Sequence, residues 1–168
     1  MPVAVSLSTN SRLTFSLADS PDLGTITQEV ELRAARTVAN GTGSGQANAA
    51  WASRVTLPAG QVYSLDLTNL PLAAFNLAGK LALSTLKDVQ VIVNTTTANR
   101  HILYGVISPQ DTTGYVARLN RGADFRWSDY TDGVAVTAGN KMLYIANPSG
   151  GSVVFDIAVA GVGTYTDT

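Results

Sequence analysis

The residue types that most enzymes use for covalent or metal-assisted catalysis are scarce in this sequence. It contains no cysteine and a single histidine, His101. The lack of cysteine excludes disulfides, thiolate metal sites and cysteine nucleophiles. A zinc site would need carboxylates at nearly every position, and a Ser-His-Asp triad would have to use His101, although no G-x-S-x-G motif accompanies it. His101 opens the run HILYGVIS, so we expect it at the start of a strand and predict that the protein is not an enzyme.

Two further patterns have the residue types of ligand-binding loops but not their full spacing. Gly41, Gly43 and Gly45 form a glycine-rich loop that lacks the Lys-Ser/Thr pair of a P-loop, so we interpret it as a plain, mobile loop. Asp129, Asp132 and Gly133 lack the full D-x-D-x-D-G series of a calcium loop, which favours a tight turn. We therefore predict no metal and no cofactor.

The segment RGADFRWSDYTDG is the strongest candidate for a binding surface. Phe125, Trp127 and Tyr130 stand among charged residues, and Phe125 and Trp127 would share one face of a strand. If that face is exposed, it has the composition of a protein hot spot or of a sugar-stacking platform. If it is buried, the same rings fill the core. The sequence leaves both interpretations open.

Short apolar runs separated by Gly, Pro, Asn and Asp indicate the elements that would position these residues. Nine or ten such runs recur every 8 to 15 residues or so, a spacing typical of sandwiches and barrels. Thr and Val number 19 and 17, whereas Glu and Lys together number five, which favours strands over helices. Alternation is clearest at Val89 to Val93 and at Phe155 to Val159. The pattern predicts an all-β, antiparallel two-sheet sandwich, and we expect a jelly-roll strand order.

Three local expectations qualify this pattern. Residues 27–38 have some helix propensity, but their apolar and charged residues alternate, so we predict a strand. Residues 70–78 are the one segment that we expect to form a short helix or helical turn. The sequence NPSGG at residues 147–151 predicts a β-hairpin between the runs on either side of it.

The chain shows no internal repeat and no linker. We predict one sandwich domain over residues 21–168, preceded by an extended N-terminal arm over residues 1–20. The arm contains a single basic residue, Arg12. Because affinity for phosphate needs clustered cations, we expect no nucleic-acid binding.

Charge and hydropathy bear on the assembly of the chain with other subunits and on its cellular location. Its formal net charge is −1 and only 14% of its residues are charged, against roughly 25% in an ordinary globular protein. A surface so weakly charged resists self-contact poorly, so we expect the chain to assemble with other subunits. No window approaches the 18 or so apolar residues of a membrane span, and the N-terminus does not read as a secretory signal, so we expect no membrane association and synthesis in the cytoplasm.

Three stretches resemble a family of small structural proteins from the virions of tailed bacteriophages. They are ANGTGSGQANAAW at residues 39–51, RVTLPAGQVYSLDL at residues 54–67, and VAVTAGNKMLYIANPSGGSVVFDIAVAGVG at residues 134–163. DLGT at residues 22–25 also fits, whereas residues 70–133 match only in general character. The family offers no catalytic residues to transfer, and nothing is carried over to the aromatic segment.

The resemblance implies a capsid decoration or cement protein on the virion surface, made in the host cytoplasm. Its partners would be the major capsid protein or other virion proteins, and we expect a homo-oligomer, with a trimer favoured. The alternative is a head-fibre or tail-associated module that binds carbohydrate or a host surface through Phe125, Trp127 and Tyr130.

Overall fold

The computed structural model describes residues 7–19, 26–74, 77–105 and 115–167, with side chains described within 37–71, 79–105 and 117–166. The described ranges contain strands and no helix, which confirms the all-β prediction. The strands are Leu7–Asp19 (β1), Ile26–Asn40 (β2), Gln46–Ala47 (β3), Ala49–Leu57 (β4), Val62–Asp66 (β5), Leu70–Ala74 (β6), Leu77–Val93 (β7), His101–Gly105 (β8), Tyr115–Asn120 (β9), Asp124–Ser128 (β10), Val134–Ala135 (β11), Met142–Ala146 (β12) and Val153–Asp167 (β13).

Ten of these strands form two packed layers. One layer is a six-stranded sheet in the order β10-β7-β13-β4, with β6 and β11 also paired to β7. The other layer is a four-stranded sheet in the order β5-β12-β8-β9. Every strand pair within these layers is antiparallel. The antiparallel two-sheet sandwich predicted from the sequence is therefore confirmed.

The core lies between the two layers and is built by alternating residues. The predicted faces of β7 and β13 are both buried, and Phe155 at 0% exposure stacks edge to face on Tyr63 across the layers, with ring centroids 5.9 Å apart. The buried cluster takes residues from both sheets: Trp51, Leu57, Leu65, Leu83, Val89, Val91, Val93, Ile102, Tyr104, Leu119, Leu143, Ile145, Phe155, Ile157 and Val159. One continuous apolar interior joins the layers.

The chain passes repeatedly from one layer to the other. It runs from β4 to β5, back to β7, and then across to β8 and β9, which are neighbours in the four-stranded sheet. It then returns to β10, crosses to β12 and finishes in β13. Consecutive long strands therefore face each other across the core more often than they pair side by side.

The expected helix at residues 70–78 is wrong, because β6 covers residues 70–74 and β7 begins at Leu77. Leu70 is completely buried, and β6 pairs with β7 from Leu70 opposite Leu81. The indole Nε1 of Trp51 donates a hydrogen bond of 2.8 Å to the carbonyl of Pro71. Burial and inter-strand bonding thus outweigh the local preference of LPLAA for a helix.

The predicted hairpin at residues 147–151 is also wrong, because β12 and β13 lie in different layers. The buried Asn147 side chain explains why the chain turns a corner here. Its Nδ2 donates to the carbonyls of Leu57 at 2.9 Å, Pro58 at 3.0 Å and Gly151 at 2.9 Å. Its Oδ1 accepts from the amide and hydroxyl of Ser149. The turn is therefore fixed to the end of β4 and carries the chain across the core.

A long hairpin of β1 and β2 lies outside both layers. All 13 residues of β1 pair with β2, from Leu7 opposite Val38 to Asp19 opposite Ile26. At its base, Ala39 and Asn40 of β2 pair in parallel with β3. The strand predicted at residues 27–38 is confirmed, and the described part of the predicted arm is one strand of this hairpin. Residues 1–6 and 20–25, including the DLGT sequence, lie outside the described residues.

Candidate functional site

Phe125 and Trp127 lie on β10, an edge strand of the six-stranded sheet. Their register opposite Val91 and Val89 of β7 places them on the face that looks toward the other layer. Both are half-buried and pack against the core cluster. Phe125 lies beside Tyr104 of β8, with ring centroids 4.8 Å apart and planes tilted by 35°. The two rings thus lie at the edge of the core, where one part of each ring packs on core residues and another part remains exposed.

Between these rings and the four-stranded sheet lies an apolar cleft of about 370 Å³. Val134, at its rim, is 44% exposed. The volume is in the range of pockets that hold a small organic molecule or a few side chains. The lining comes from both layers: Leu86, Val89, Tyr104, Phe125, Trp127, Val134, Asn140 and Leu143.

Few polar groups in the cleft are available to a ligand. Asn140 already bonds Thr137 and the carbonyl of Ala135. Burial raises the pKa of Tyr104 to about 12, so its hydroxyl stays protonated. Neither the Tyr104 hydroxyl nor the Trp127 indole N–H forms a hydrogen bond within the described part of the chain, and since no buried polar side-chain atom there lacks a partner, both groups remain in contact with solvent. The cleft therefore suits an apolar group that brings hydrogen-bond acceptors with it.

Tyr130 does not join the other two aromatics. It is 2% exposed and lies on the opposite, outer face of the six-stranded sheet. Its hydroxyl donates a hydrogen bond to Oδ2 of Asp88 and accepts one of 3.1 Å from Nη2 of Arg126. Burial, then Asp88, raises the pKa of Tyr130 to about 12. An exposed platform of Phe125, Trp127 and Tyr130 is therefore not formed, because the Tyr130 ring is enclosed.

Asp88 and Arg126 complete this cluster on the outer face. The guanidinium bonds the carboxylate through both oxygens, from Nη2 at 2.7 Å and from Nε at 3.2 Å. Contact with Asp88 raises the pKa of Arg126. Because Asp88 is only 7% exposed, the pair is held in a largely dry setting where losing one partner would leave a charge unpaired.

A β-bulge adds Lys87 to the cluster. Ala160 of β13 pairs with Asp88, but the next residue, Gly161, pairs with Leu86, so Lys87 is the extra residue of β7. Lys87 is 3% exposed, and its Nζ donates to the carbonyls of Gly43 at 2.8 Å and Tyr130 at 3.3 Å. The bulge therefore directs a buried ammonium group to the glycine-rich loop.

The glycine-rich loop is hydrogen-bonded to Tyr130 and to Gln46. The amide of Gly45 donates to the carbonyl of Tyr130 at 2.7 Å, and the amide of Gly43 donates to Oε1 of Gln46 at 3.0 Å. Gly41 has a φ of 153°, and a Cβ there would overlap the Gln46 side chain. These hydrogen bonds make the loop a connector between β2 and β3, and its mobility stays a prediction.

These contacts attach the base of the hairpin to the sandwich. Tyr130 packs with Val38 of β2 and Ala47 of β3 in a second small core. Just beyond it, Asn48 exchanges two side-chain hydrogen bonds with the backbone of Gly163, at 2.9 and 3.1 Å. The last residues of β2 are thus attached to the sandwich.

The remaining chemical candidates lie at the start of a strand and in a turn. His101 is the first residue of β8, as predicted, and its pKa is lowered by partial burial and by Arg118. Asp129 accepts from the amides of Thr131 and Asp132, which makes the predicted tight turn. Within the described ranges, no group of three or more His, Asp or Glu residues is placed to hold a metal.

The outer face of the six-stranded sheet carries a second, shallower depression. Arg54 and Asp156 form a two-bond ion pair there, at 2.7 and 2.9 Å, and Nδ2 of Asn94 bonds the same carboxylate. The pair lowers the pKa of Asp156. Ala52 and Ala158 leave the floor low beside it. The depression is therefore lined by small side chains and by charged groups that are already paired, a composition typical of contact surfaces.

No protein-family model matches this chain, and no curated protein is significantly similar to it. Among the described residues there is no helix with the length and apolar character that crossing a membrane requires.

The sequence analysis did not identify Lys87 and Asp88. A signal was present, because two successive charged residues between Leu86 and Val89 interrupt the two-residue rhythm of β7, and such an interruption is typical of a β-bulge. The sequence analysis also could not predict the cleft. Periodicity assigns residues to one face of a strand but does not say which other strands pack against that face.

Proposed function

We propose that this chain is a non-enzymatic structural protein of a tailed-bacteriophage virion, a capsid decoration or cement protein that binds and stabilises the assembled head. It would be made in the host cytoplasm and bound at the capsid surface to the major capsid protein or to other virion proteins. The sequence resemblance at residues 39–51, 54–67 and 134–163 supports this proposal.

The observation that carries the proposal is the strand order. The two layers, β10-β7-β13-β4 and β5-β12-β8-β9, with a chain that crosses between them at most connections, support the jelly-roll topology expected from the sequence. Jelly rolls are the architecture of many viral capsid and lectin domains. A fold does not by itself assign a function, so the strand order supports the virion proposal only together with the sequence resemblance.

The surface and the hairpin are consistent with attachment to a shell. A weakly charged protein that touches several subunits gains affinity through effective concentration, without needing strong single contacts. The β1–β2 hairpin includes the described part of the predicted arm, and in the described ranges β1 pairs with β2 alone, so its other edge could add to a strand of a neighbouring subunit. We expect deletion of residues 1–19 to abolish capsid attachment while leaving the sandwich folded.

Purified particles and the purified protein test this proposal together. The protein is added to shells that lack it, and bound copies are counted after sedimentation, alongside shell stability to heat. Saturation at a copy number set by the repeated capsomers, with a raised melting temperature of the shell, supports decoration. A copy number set by one vertex would place the protein at the tail or portal instead, and no binding to shells would refute the proposal.

The cleft favours a second candidate, a head-fibre or tail-associated module that recognises carbohydrate or a host surface. Phe125 and Trp127 line this cleft together with Tyr104, and neither the Trp127 indole N–H nor the Tyr104 hydroxyl is hydrogen-bonded within the described residues. A Trp127→Ala variant would separate the candidates. Lost glycan or host-cell binding with normal shell stability supports the second function, and unchanged binding contradicts it. Phe155→Ala removes a fully buried ring, so its lowered melting temperature should show what a core defect looks like for comparison.

A further inference from the structure

Three connections between strands meet at the end of the sandwich where β10 begins. The amide of Arg121, just after β9, donates to the carbonyl of Arg100, just before β8, at 3.1 Å. The side chain of Arg121 reaches the same connection, because its Nη1 donates to the carbonyl of Thr96 at 3.0 Å. Arg100 in turn lies against the corner at residues 147–151, where a Cβ on Gly151 would overlap its guanidinium. The connections therefore set the positions of both arginine side chains.

A third arginine, Arg118 of β9, lies next to this junction. It pairs with Leu103 of β8 and is on the same outer face of the sheet as His101, two residues before Leu103. Its charge reaches His101, because partial burial and then Arg118 lower the pKa of that histidine. Arg118 and Arg121 are exposed, and Arg100 is half-buried. We call these three arginines the arginine surface.

The arginine surface is not neutralised by carboxylates of the same chain. In the described part of the chain none of its arginines forms an ion pair, whereas Arg54 and Arg126 each bond a carboxylate through both oxygens. The Arg100 guanidinium donates no hydrogen bond within the described residues, and no buried polar side-chain atom there lacks a partner, so its N–H groups are in contact with solvent. A chain of net charge −1 thus presents uncompensated positive charge at one end.

Guanidinium groups with available N–H donors favour carboxylates as partners. Each guanidinium has five donors in a planar fork that matches the two oxygens of a carboxylate. Arginine is also enriched among the residues that contribute most of the binding energy in protein interfaces. Because Gly151 leaves room for the Arg100 guanidinium, that group is positioned before a partner binds and loses less entropy on binding. The surface therefore has the chemistry of a site for acidic side chains.

Acidic protein side chains fit this surface better than a nucleic acid does. The affinity of a protein for nucleic acid grows with the number of phosphates that it neutralises, and the arginine surface offers only three cations. Asp124 begins β10 and Asp129 follows its end. A phosphate chain that extended past the arginines along β10 would therefore meet negative charge, whereas a short acidic segment would not.

We propose that the arginine surface binds an acidic segment of a partner protein, with carboxylates of that segment held by Arg100 and Arg121. Arg118, on the adjacent outer face, attracts further acidic side chains of the same segment. Charge complementarity of this kind accelerates association and discriminates against basic partners more than it raises affinity. The inference identifies the chemistry of a partner and does not depend on the proposed virion function.

Binding of a fluorescent decaglutamate peptide to the full chain tests the proposal. Measured by fluorescence anisotropy at about 50 mM salt, where surface charges are weakly screened, binding should saturate, and it should weaken as salt is added. Arg100→Gln, Arg118→Gln and Arg121→Gln should each weaken it about threefold, with unchanged melting temperatures. Arg54→Gln removes the same charge elsewhere on the surface and is the matched control. No binding by the wild-type chain, or an equal loss in Arg54→Gln, would overturn the proposal.

Two further measurements decide the class of partner. A single-stranded DNA of the same charge as the peptide should bind no more tightly than the peptide under the same conditions. Tighter DNA binding that the arginine variants lose would overturn the choice of a protein partner. Sedimentation of the chain alone at low salt should give the same species for wild type and for Arg100→Gln/Arg121→Gln. An oligomer that only this variant loses would assign the surface to a second copy of the chain and overturn the proposal.

Site-specific labelling locates the bound peptide without removing any arginine. The chain lacks cysteine, so Asn120→Cys, between Arg118 and Arg121, and Ser128→Cys, at the far end of β10, each introduce a single exposed thiol. A decaglutamate peptide with a terminal maleimide should label Asn120→Cys about tenfold faster than Ser128→Cys, after division by the rate with neutral N-ethylmaleimide. Equal ratios would overturn the proposal. Because shells are absent from all these experiments, failure here leaves the capsid-binding test unaffected.

Discussion

Tyr130 and Asp88 join the hairpin to the sandwich, two parts of the molecule that no strand pairing connects within the described residues. The Tyr130 hydroxyl donates to the Asp88 carboxylate on the outer face of the six-stranded sheet, while the Tyr130 ring packs on Val38 at the base of the hairpin. Lys87, from the adjacent bulge, ties the same site to the glycine-rich loop through the carbonyl of Gly43. The orientation of the hairpin relative to the sandwich therefore depends on a small, buried polar cluster.

We expect Tyr130→Phe to destabilise the protein by about 2 kcal/mol, since it removes a hydrogen bond to a buried charged acceptor. The ring stays, so packing on Val38 is preserved. Thermal unfolding measures the loss, and amide hydrogen exchange at Gly45, which bonds the Tyr130 carbonyl, measures loosening of the hairpin base. Tyr144→Phe, at a half-buried residue of β12, is the control. Equal stability of the two variants would contradict this role for the cluster.

The sequence predicted the parts of the fold that follow from the local alternation of apolar and polar residues. Val89 to Val93 and Phe155 to Val159 alternate cleanly, and both runs are buried as expected. The turn at Asn147 was misassigned because its residue types favour a turn but do not determine whether the following strand pairs with the previous one or crosses the core. That choice depends on bonds to Leu57 and Pro58, which are about 90 residues away in sequence.

The same limit applies to the site. The composition of the aromatic segment identified it as a candidate site. Composition could not predict that its three rings lie on two different faces of the sheet. Phe125 and Trp127 follow the alternation of β10, whereas Tyr130 lies beyond the strand end, where the turn at Asp129 carries it to the outer face. Long-range packing separated residues that the sequence places together.

Asn147→Ala should cost about 3 kcal/mol, because it leaves the carbonyls of Leu57, Pro58 and Gly151 without a donor at a buried corner. Asn147→Asp keeps the shape but puts a carboxylate oxygen against those carbonyls, so it should be at least as harmful. Urea unfolding at neutral pH provides the measurement. Asn69→Ala, at an exposed turn, should change the midpoint little. A mild effect at residue 147 would mean that the corner is held by other contacts.

Gly161 occupies the bulge between β13 and β7, where the two backbones approach closely. A Cβ there would overlap the carbonyl oxygen of Thr85 and lie 3.3 Å from the Cα of Leu86. We expect Gly161→Ala to destabilise the protein by about 2 kcal/mol through backbone displacement. In Gly139→Ala, the nearest atom to the new Cβ is 4.0 Å away, so its melting temperature should stay near wild type. Matching melting curves for the two variants would show that the bulge absorbs a side chain.

Alkaline pH should unfold the protein through two tyrosines. The pKa values of Tyr104 and Tyr130 rise from 10.0 to about 12 in the folded state, Tyr104 by burial and Tyr130 by burial and Asp88. A raised pKa means that the folded state keeps a proton that the unfolded state releases. Their stabilising contribution is therefore complete below pH 10.0 and is lost as the pH rises toward 12.

Chemical unfolding at a series of pH values between these limits measures that loss. Tyr130→Phe and Tyr104→Phe each remove one of the two ionising groups, so each variant should lose less stability between pH 10.0 and 12 than the wild-type chain does. Ultraviolet titration of the folded protein should show the corresponding phenolates forming late. If Tyr130→Phe declined as steeply as wild type, Tyr130 would be ionising freely and its burial against Asp88 would be refuted.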